Sequence, residues 1–476
     1  MKTYPLFLNG EWFISDATLP VIDPARGEPV ALISSVDRSR VAHVLTDAQA
    51  GFNAWRTLTA TERAGYLDEV AAALDRRKQE VAERITIENG KPLAQSLGEV
   101  SMSVDHLRWF AGEARRAYGR MIPPQVPQKR NLVVKTPMGV VAAVSPWNFP
   151  LVLAVRKVAP ALAAGCAVVL KPSSRTPLCA VAFAECVEEA GLPRGTFQFV
   201  IGRASEIVSE FIENPICRKV TFTGSSRVGK ELIRAAADSV KPLSLELGGH
   251  APALVFDDVD LDQAVDGVMV AKFRNIGQSC IAANRIYVQR AIYDPFLERF
   301  TERTKAMKIG AGMEPGVEIG PLIDQEAVDR AHRHVQDAID RGARLLCGGK
   351  PAVAAKGYFF EPTVLADVPD EAVCMREETF APVAPVCVFD TEAEGIARAN
   401  ASPYGLSAYA FTCDVTRMFR LMETLEAGAI GINDGAPTIS QAPFGGVKQS
   451  GWGRELGIEG MDAFLDTKHV SLGGIG

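Results

Sequence analysis

Lys219-Val220-Thr221-Phe222-Thr223-Gly224-Ser225-Ser226-Arg227-Val228-Gly229 reads as a strand, a glycine turn and the opening of a helix, an order that aims backbone N–H groups at an anion. Its glycines do not follow the G-x-G-x-x-G spacing of the usual dinucleotide fingerprint, so taken alone it is equally a tight strand-to-helix turn. Its neighbours decide. From Gly139 onward, short β-branched runs alternate with longer amphipathic ones, the pattern of a parallel sheet covered by helices. Strands are predicted at 140–144, 167–170, 197–200, 219–222 and 243–247, with helices at 151–164, 178–190, 205–212 and 228–237. Pro177 stands where a helix tolerates proline, in its first turn, and Gly191 where a left-handed cap closes one. The reading is a doubly wound, dinucleotide-type unit.

Upstream, 41–55, 61–77 and 79–89 have apolar Ala/Leu/Val faces and charged backs, the mark of helices packed on the same unit. The stretch from Met121 to Lys135 is proline-rich and ends in Leu132-Val133-Val134, which reads as an edge strand or hairpin arm. A second short β-like piece runs from Phe464 to Leu472. Two orphan strands so far apart can pair with each other and complete a sheet with a partner chain, so a homodimer or homotetramer is expected. Between Gly249 and Gly445 lies a second α/β region. The expected division is 1–119 with 139–248 as the dinucleotide-binding domain, 249–460 as the catalytic domain, and 120–138 with 461–476 as oligomerisation strands.

A chain of 476 residues has room for two or three domains. Its net charge of −6 is too mildly acidic to steer it to nucleic acid or an anionic membrane. No signal-type apolar core follows Met1, and the most apolar run, Val158 to Leu170, is interrupted by Pro160 and Gly165 and too short to span a bilayer. A cytoplasmic protein is expected. The nine cysteines contain no C-x-x-C and the six histidines no ligand spacing, which argues against a disulfide framework and against a metal site.

Chemistry points elsewhere. In Phe273-Arg274-Asn275-Ile276-Gly277-Gln278-Ser279-Cys280 the cysteine ends a polar, glycine-containing loop ahead of the strand-like Arg285-Ile286-Tyr287-Val288, where a sulfur can meet a substrate. Leu245-Glu246-Leu247-Gly248-Gly249 adds a carboxylate and Pro146-Trp147-Asn148-Phe149-Pro150 an amide donor. Lys171-Pro172-Ser173-Ser174 closes a further strand, at the carboxyl ends where nucleotides bind. Singly, each has an ordinary explanation as a buried thiol, a strand-end carboxylate or a turn residue.

Taken in order, Pro146-Trp147-Asn148-Phe149-Pro150, Lys171-Pro172, Phe222-Thr223-Gly224-Ser225, Leu245-Glu246-Leu247-Gly248-Gly249, Gly277-Gln278-Ser279-Cys280, Glu377-Glu378-Thr379-Phe380-Ala381-Pro382 and Pro443-Phe444-Gly445-Gly446 make the chain resemble the aldehyde dehydrogenase superfamily along essentially its whole length. Lys272-Phe273-Arg274-Asn275 and the run from Ala442 to Gly451 resemble its succinate semialdehyde dehydrogenase branch. The fold implied is α/β and aldehyde dehydrogenase-like: a Rossmann-type cofactor domain, an α/β catalytic domain and a small β oligomerisation extension. The resemblance implies Cys280 as the nucleophile that forms a thiohemiacetal and then a thioester, Asn148 with the Cys280 N–H as oxyanion hole, and Glu246 as the base that activates the hydrolytic water. It also implies Lys171 and Glu378 on the two riboses, Gly224, Ser225 and Gly229 around the pyrophosphate, and Trp147 and Phe380 on the nicotinamide side.

Where many NAD-preferring relatives carry a glutamate, this chain has Ser174, which removes a charge that would repel a 2′-phosphate. NADP is therefore the expected cofactor, with NAD as a second. Ala381 stands where glycine is common. Arg156 and Arg274 match arginines that hold a substrate carboxylate in that branch, Thr438 matches a serine there, and Phe149 and Phe444 are the expected aromatic walls. A guanidinium fork suits a carboxylate through paired hydrogen bonds. Ala282 replaces a second cysteine found in some members, so no switch disulfide is expected at Cys280. Succinate semialdehyde is the expected substrate; glutarate or 2-oxoglutarate semialdehyde and an aromatic aldehyde are the alternatives. A non-catalytic nucleotide-binding relative and a coenzyme A-acylating enzyme are disfavoured by the intact Cys280, Glu246 and Asn148.

Overall fold

The computed structural model describes residues 1–352 and 356–474. Its first sheet runs, in spatial order, Phe197–Phe199, Ala167–Lys171, Val140–Val144, Cys217–Thr223 and Leu243–Glu246, all parallel, with Gly451–Trp452 added antiparallel at the edge. All five predicted strands are present, and their near-continuous burial is that of a sheet covered on both faces. The chain builds outward from Val140–Val144 in one direction, then crosses back to lay Cys217–Thr223 on its other side. That reversal leaves a crevice at the carboxyl ends of the two strands.

Helices Val152–Ala164, Leu178–Glu189, Ala204–Glu213 and Ser226–Ala236 alternate with the strands. The helices Arg38–Trp55, Ala60–Arg76 and Lys78–Asn89 share their hydrophobic core. The sequence reading did not assign the longest helix, Leu93–Ala114. Its buried face carries Ser96, Glu99, Ser103, His106 and Glu113 among the apolar residues, and these interrupt the hydrophobic period that announces a helix.

A second sheet orders Arg344–Cys347, Thr363–Ala366, Val383–Phe389, Ala283–Gln289, Ala251–Val255, Ser407–Phe411 and Ala429–Ile432, parallel except at Arg344–Cys347. It has its own core, yet Phe444, Leu456, Met461 and Phe464 return to the first one. The third sheet places Lys129–Pro137 between Arg120–Ile122 and Leu465–Gly473, all antiparallel. The two orphan strands do pair with each other. The segment read as an edge strand is instead the central one, because Arg120–Ile122 covers its other side.

Candidate active site

The site forms where the carboxyl ends of the first sheet meet the amino ends of the second. Leu243–Glu246 runs straight into Gly248 and Gly249, and a Cβ on Gly249 would lie 2.1 Å from the Cys280 carbonyl oxygen. Glycine there is what lets the carboxylate-bearing strand touch the nucleophile loop. That loop is strained: Asn275, Ile276 and Gly277 have φ of 50°, 62° and 72° in succession, a conformation costing about 1–3 kcal/mol at each non-glycine position. Its side chains compensate. Asn275 Nδ2 donates to the Asn148 carbonyl at 2.7 Å and the Gln278 carbonyl at 3.0 Å, and Gln278 Oε1 accepts from the Ile323 N–H at 3.0 Å. A Cβ at Gly277 would stand 2.3 Å from the Ala381 carbonyl, so the Ala381 backbone closes over the turn while its methyl is buried.

Asn148 is buried, and its side-chain Nδ2 donates to the Gln278 carbonyl at 3.1 Å. Its backbone carbonyl accepts from Lys91 Nζ at 2.7 Å as well as from Asn275. Lys91 is paired in turn with Glu99 at 2.6 Å, and Glu99 Oε1 accepts the Leu151 and Val152 N–H groups at the start of the next helix. This buried lattice fixes the amide beside the thiol. Sequence reasoning missed it because each member stands alone in the chain.

Two cavities meet at the half-buried Cys280. The first, about 290 Å³, is lined by Trp147, Asn148, Gly224, Ser225, Glu378 and Phe380 among others. It opens at the sheet's reversal, with Ser225 capping the helix Ser226–Ala236 through the Val228 N–H. Trp147 and Phe380 meet edge to face at 5.5 Å. Glu378 accepts from the Gly249 N–H at 3.1 Å, and burial raises its carboxyl to about 7. Lys171 ends the adjacent strand and Ser174 follows it, and neither is among this lining; burial lowers Lys171 to about 8, and no carboxylate pairs with it among the described residues. Gly229 stands apart from the cavity: a Cβ there would meet Leu247 Cδ2 at 2.5 Å, so its smallness seats helix against strand. Arg330 also lines the cavity and was not foreseen.

The second cavity is narrower, about 30 Å³, and also reaches Cys280. Phe149, Arg156, Arg274, Thr438 and Phe444 line it, together with Met102 and Ile281. Arg156 stacks over Phe444 at 5.1 Å and Arg274 over Phe149 at 5.3 Å. Glu246 is not among the lining residues of either cavity; it is buried with Gly445 close against its carboxylate, and its Oε2 has no hydrogen-bond partner among the described residues. Burial, then the neighbouring Glu455, holds its carboxyl well above the ordinary range. Burial likewise pushes the Cys280 thiol up to about 12, with Glu378 and Glu246 adding to the rise.

Residues 12–470 match the aldehyde dehydrogenase family. The chain belongs to that family. It is 46% identical over 471 residues to a glutarate-semialdehyde dehydrogenase of Pseudomonas aeruginosa, covering 98% of this chain and 97% of the relative. It is 44% identical over 468 residues to the NADP(+) succinate-semialdehyde dehydrogenase of Escherichia coli, with coverage of 98% and 97%. The crystal structure of an NADP-dependent E. coli enzyme superposes with a TM-score of 0.97 at 44% identity, over 99% of this chain and 98% of that one. Within this aldehyde dehydrogenase, Cys280, Asn148 and much of the first cavity's lining come from the ordered motifs, whereas Arg330 of the first cavity and Met102, Arg156 and Thr438 of the second lie outside them. The supporting lattice around Lys91 and Glu99 lies outside them too.

Proposed function

We propose that the protein oxidises a short aldehyde that carries a carboxylate, succinate semialdehyde first and glutarate semialdehyde second, with NADP as cofactor and NAD as an alternative. One observation carries the substrate: Arg156 and Arg274, both largely buried, flank the cavity of Cys280 and have no carboxylate partner among the described residues. A buried, unpaired guanidinium is costly. Two of them on one cavity fit the far end of an ω-oxo acid, which arrives with the missing charge. The names of the relatives agree with this reading.

The first cavity suits a dinucleotide. Gly224 at its rim, the N-terminal turn at Ser225 and the buried Lys171 offer backbone N–H groups and a cation to phosphate and ribose oxygens, and Glu378 accepts from hydroxyls. Ser174 brings no negative charge. A nicotinamide dinucleotide supplies there an acceptor for the hydride of the substrate's aldehyde carbon.

The chain's own residues do the rest. Cys280 releases its proton to solvent water and bonds as the thiolate to the carbonyl carbon, while the carbonyl oxygen takes up the electron pair of the broken π bond beside Asn148 Nδ2 and the Cys280 N–H. For that, Asn148 Nδ2 exchanges its bond to the Gln278 carbonyl for the oxyanion. Once the carbon is at the thioester level, a water must lose a proton to attack it. Glu246, with a raised carboxyl and an unpartnered Oε2, is the base. We also propose that residues 1–119 with 139–248 bind the dinucleotide, that 249–460 form the catalytic domain, and that 120–138 with 461–476 join copies of the chain as a homodimer or homotetramer. A cytoplasmic location fits the sequence, and no helix among the described residues is long and apolar enough to cross a membrane.

The test compares kcat/KM for succinate semialdehyde with that for butanal, an uncharged aldehyde of equal length. A preference of about 10² or more for the acid is expected from paired charge-assisted hydrogen bonds. Equal values would refute a carboxylate clamp.

A further inference from the structure

Among the described residues Arg156 makes one hydrogen bond, its Nε to His106 Nε2 at 3.3 Å. Behind the ring, His106 Nδ1 lies 2.7 Å from Ser440 Oγ, and Ser440 Oγ donates to Asp105 Oδ2. His106 and Asp105 belong to the helix Leu93–Ala114, Arg156 to Val152–Ala164, and Ser440 to the loop that also carries Thr438. Two remote pieces of chain therefore meet behind a guanidinium carried by a third.

The direction of every proton along this row follows from its partners. Arg156 is always charged and can only donate, so His106 Nε2 accepts and the ring's single proton sits on Nδ1. Ser440 Oγ accepts that hydrogen bond and donates its own O–H to the Asp105 carboxylate. Burial, then the Arg156 charge, keeps His106 well below its usual protonation range, so the accepting nitrogen stays free. A protonated ring would set N–H against N–H.

A guanidinium has two forks for a carboxylate: Nε with one Nη, or the two Nη groups at its end. Here His106 occupies Nε and Phe444 covers one face, while the Nη groups have no protein acceptor among the described residues. We infer that His106, held by Ser440 and Asp105, is a positioning residue for substrate specificity: it makes Arg156 present its terminal Nη pair to the carboxylate of the aldehyde. The same row ties the Thr438 loop to Arg156, so the two polar walls of the cavity move as one.

This inference rests on the carboxylate reading, and the experiment separates the two. Steady-state kinetics on succinate semialdehyde and on butanal are measured for the wild type, His106→Phe, His106→Gln and Ser440→Ala. His106→Phe keeps the ring's bulk and removes the acceptor; KM for the acid should rise about tenfold, as for the loss of a hydrogen bond to a charged group. Its kcat for the acid, and kcat/KM for butanal, should stay within about twofold. His106→Gln, whose Oε1 can accept from Nε, should recover most of the loss. Ser440→Ala should shift the same KM about threefold and stands in if the ring variant does not fold. Equal loss with both aldehydes, or an unchanged KM for the acid, overturns the positioning role. If the wild type itself does not prefer the acid, the carboxylate reading falls and takes this inference with it; if it does and the variants match it, only the inference falls.

Discussion

The two cavities that meet at Cys280 are built from different materials. The side we assign to the nucleotide is framed by backbone, a glycine turn and a capped helix start placed by the reversal of one parallel sheet, with Trp147, Glu378 and Phe380 facing into it. The substrate side is made of side chains, with Arg156, Arg274, Thr438 and two phenylalanines drawn from separate elements. A backbone cradle recognises what all its ligands share, phosphate and ribose. A wall of side chains can be changed residue by residue, and it is there that our proposal puts the choice of aldehyde. Cys280 belongs to both because the chemistry joins what each one holds.

The sharpest way to break this comparison is to remove a group that serves neither cavity's recognition. Glu246 is buried and lines neither cavity, so Glu246→Gln should leave the binding of nucleotide and aldehyde intact while steady-state turnover falls about 10²–10⁴-fold, the usual scale for a lost general base. Rapid mixing should show one equivalent of reduced cofactor, after which the acyl-enzyme accumulates. Multiple turnovers at the wild-type rate would assign the base elsewhere. Asn148→Ala comes next, with a fall in kcat of about 10²–10³, and here the burst itself should slow. A variant in which only KM moves would make Asn148 a substrate contact.

These two residues, with Cys280, also show what a sequence can reveal. Cys280, Glu246 and Asn148 were legible because each lies in a short contiguous motif whose glycines and prolines record local backbone demands: Gly249 for the approach to the Cys280 carbonyl, Gly277 for the turn beneath Ala381. The strands of the first sheet were legible for a similar reason, since full burial leaves uninterrupted β-branched runs. The helix Leu93–Ala114 was not, and neither were the residues it delivers. Glu99, Asp105 and His106 acquire their partners only on folding, across 52, 335 and 50 residues of chain respectively. A polar side chain on an otherwise apolar helical face was the one available signal, and it reads as a defect in periodicity until the partner is seen. Lys91 belongs to the same class: isolated in sequence, it is fully buried and holds the Asn148 carbonyl.

On the nucleotide side, Ser174 offers a smaller effect. Ser174→Glu restores a carboxylate that binds a 2′-hydroxyl and repels a 2′-phosphate. The ratio of kcat/KM for NADP over NAD should fall at least tenfold, with succinate semialdehyde kinetics at saturating NAD little altered. An unchanged ratio would mean that the discriminating contact lies at another residue, and the division of labour between the cavities would need redrawing on the nucleotide side.

The mildest probe is pH. Burial raises the Glu378 carboxyl to about 7, and the Gly249 N–H bond only partly offsets it. Its ordinary value is 4.5, so the folded protein holds this proton more tightly than the unfolded chain does. By linkage, Glu378 therefore costs stability as pH rises from about 4.5 to about 7, and the cost is complete above that. As an acceptor for a ribose hydroxyl it works best as the anion, so it should bind nucleotide better across the same rise. Glu378→Gln is neutral throughout. Its melting temperature relative to wild type should increase between pH 5 and pH 8, by a few degrees at most, while its nucleotide affinity should lose the component that titrates near pH 7. If the variant and the wild type keep a constant offset in both measurements, Glu378 does not change its protonation over this range. The nucleotide cavity would then owe its pH response to the buried Lys171, which burial lowers to about 8.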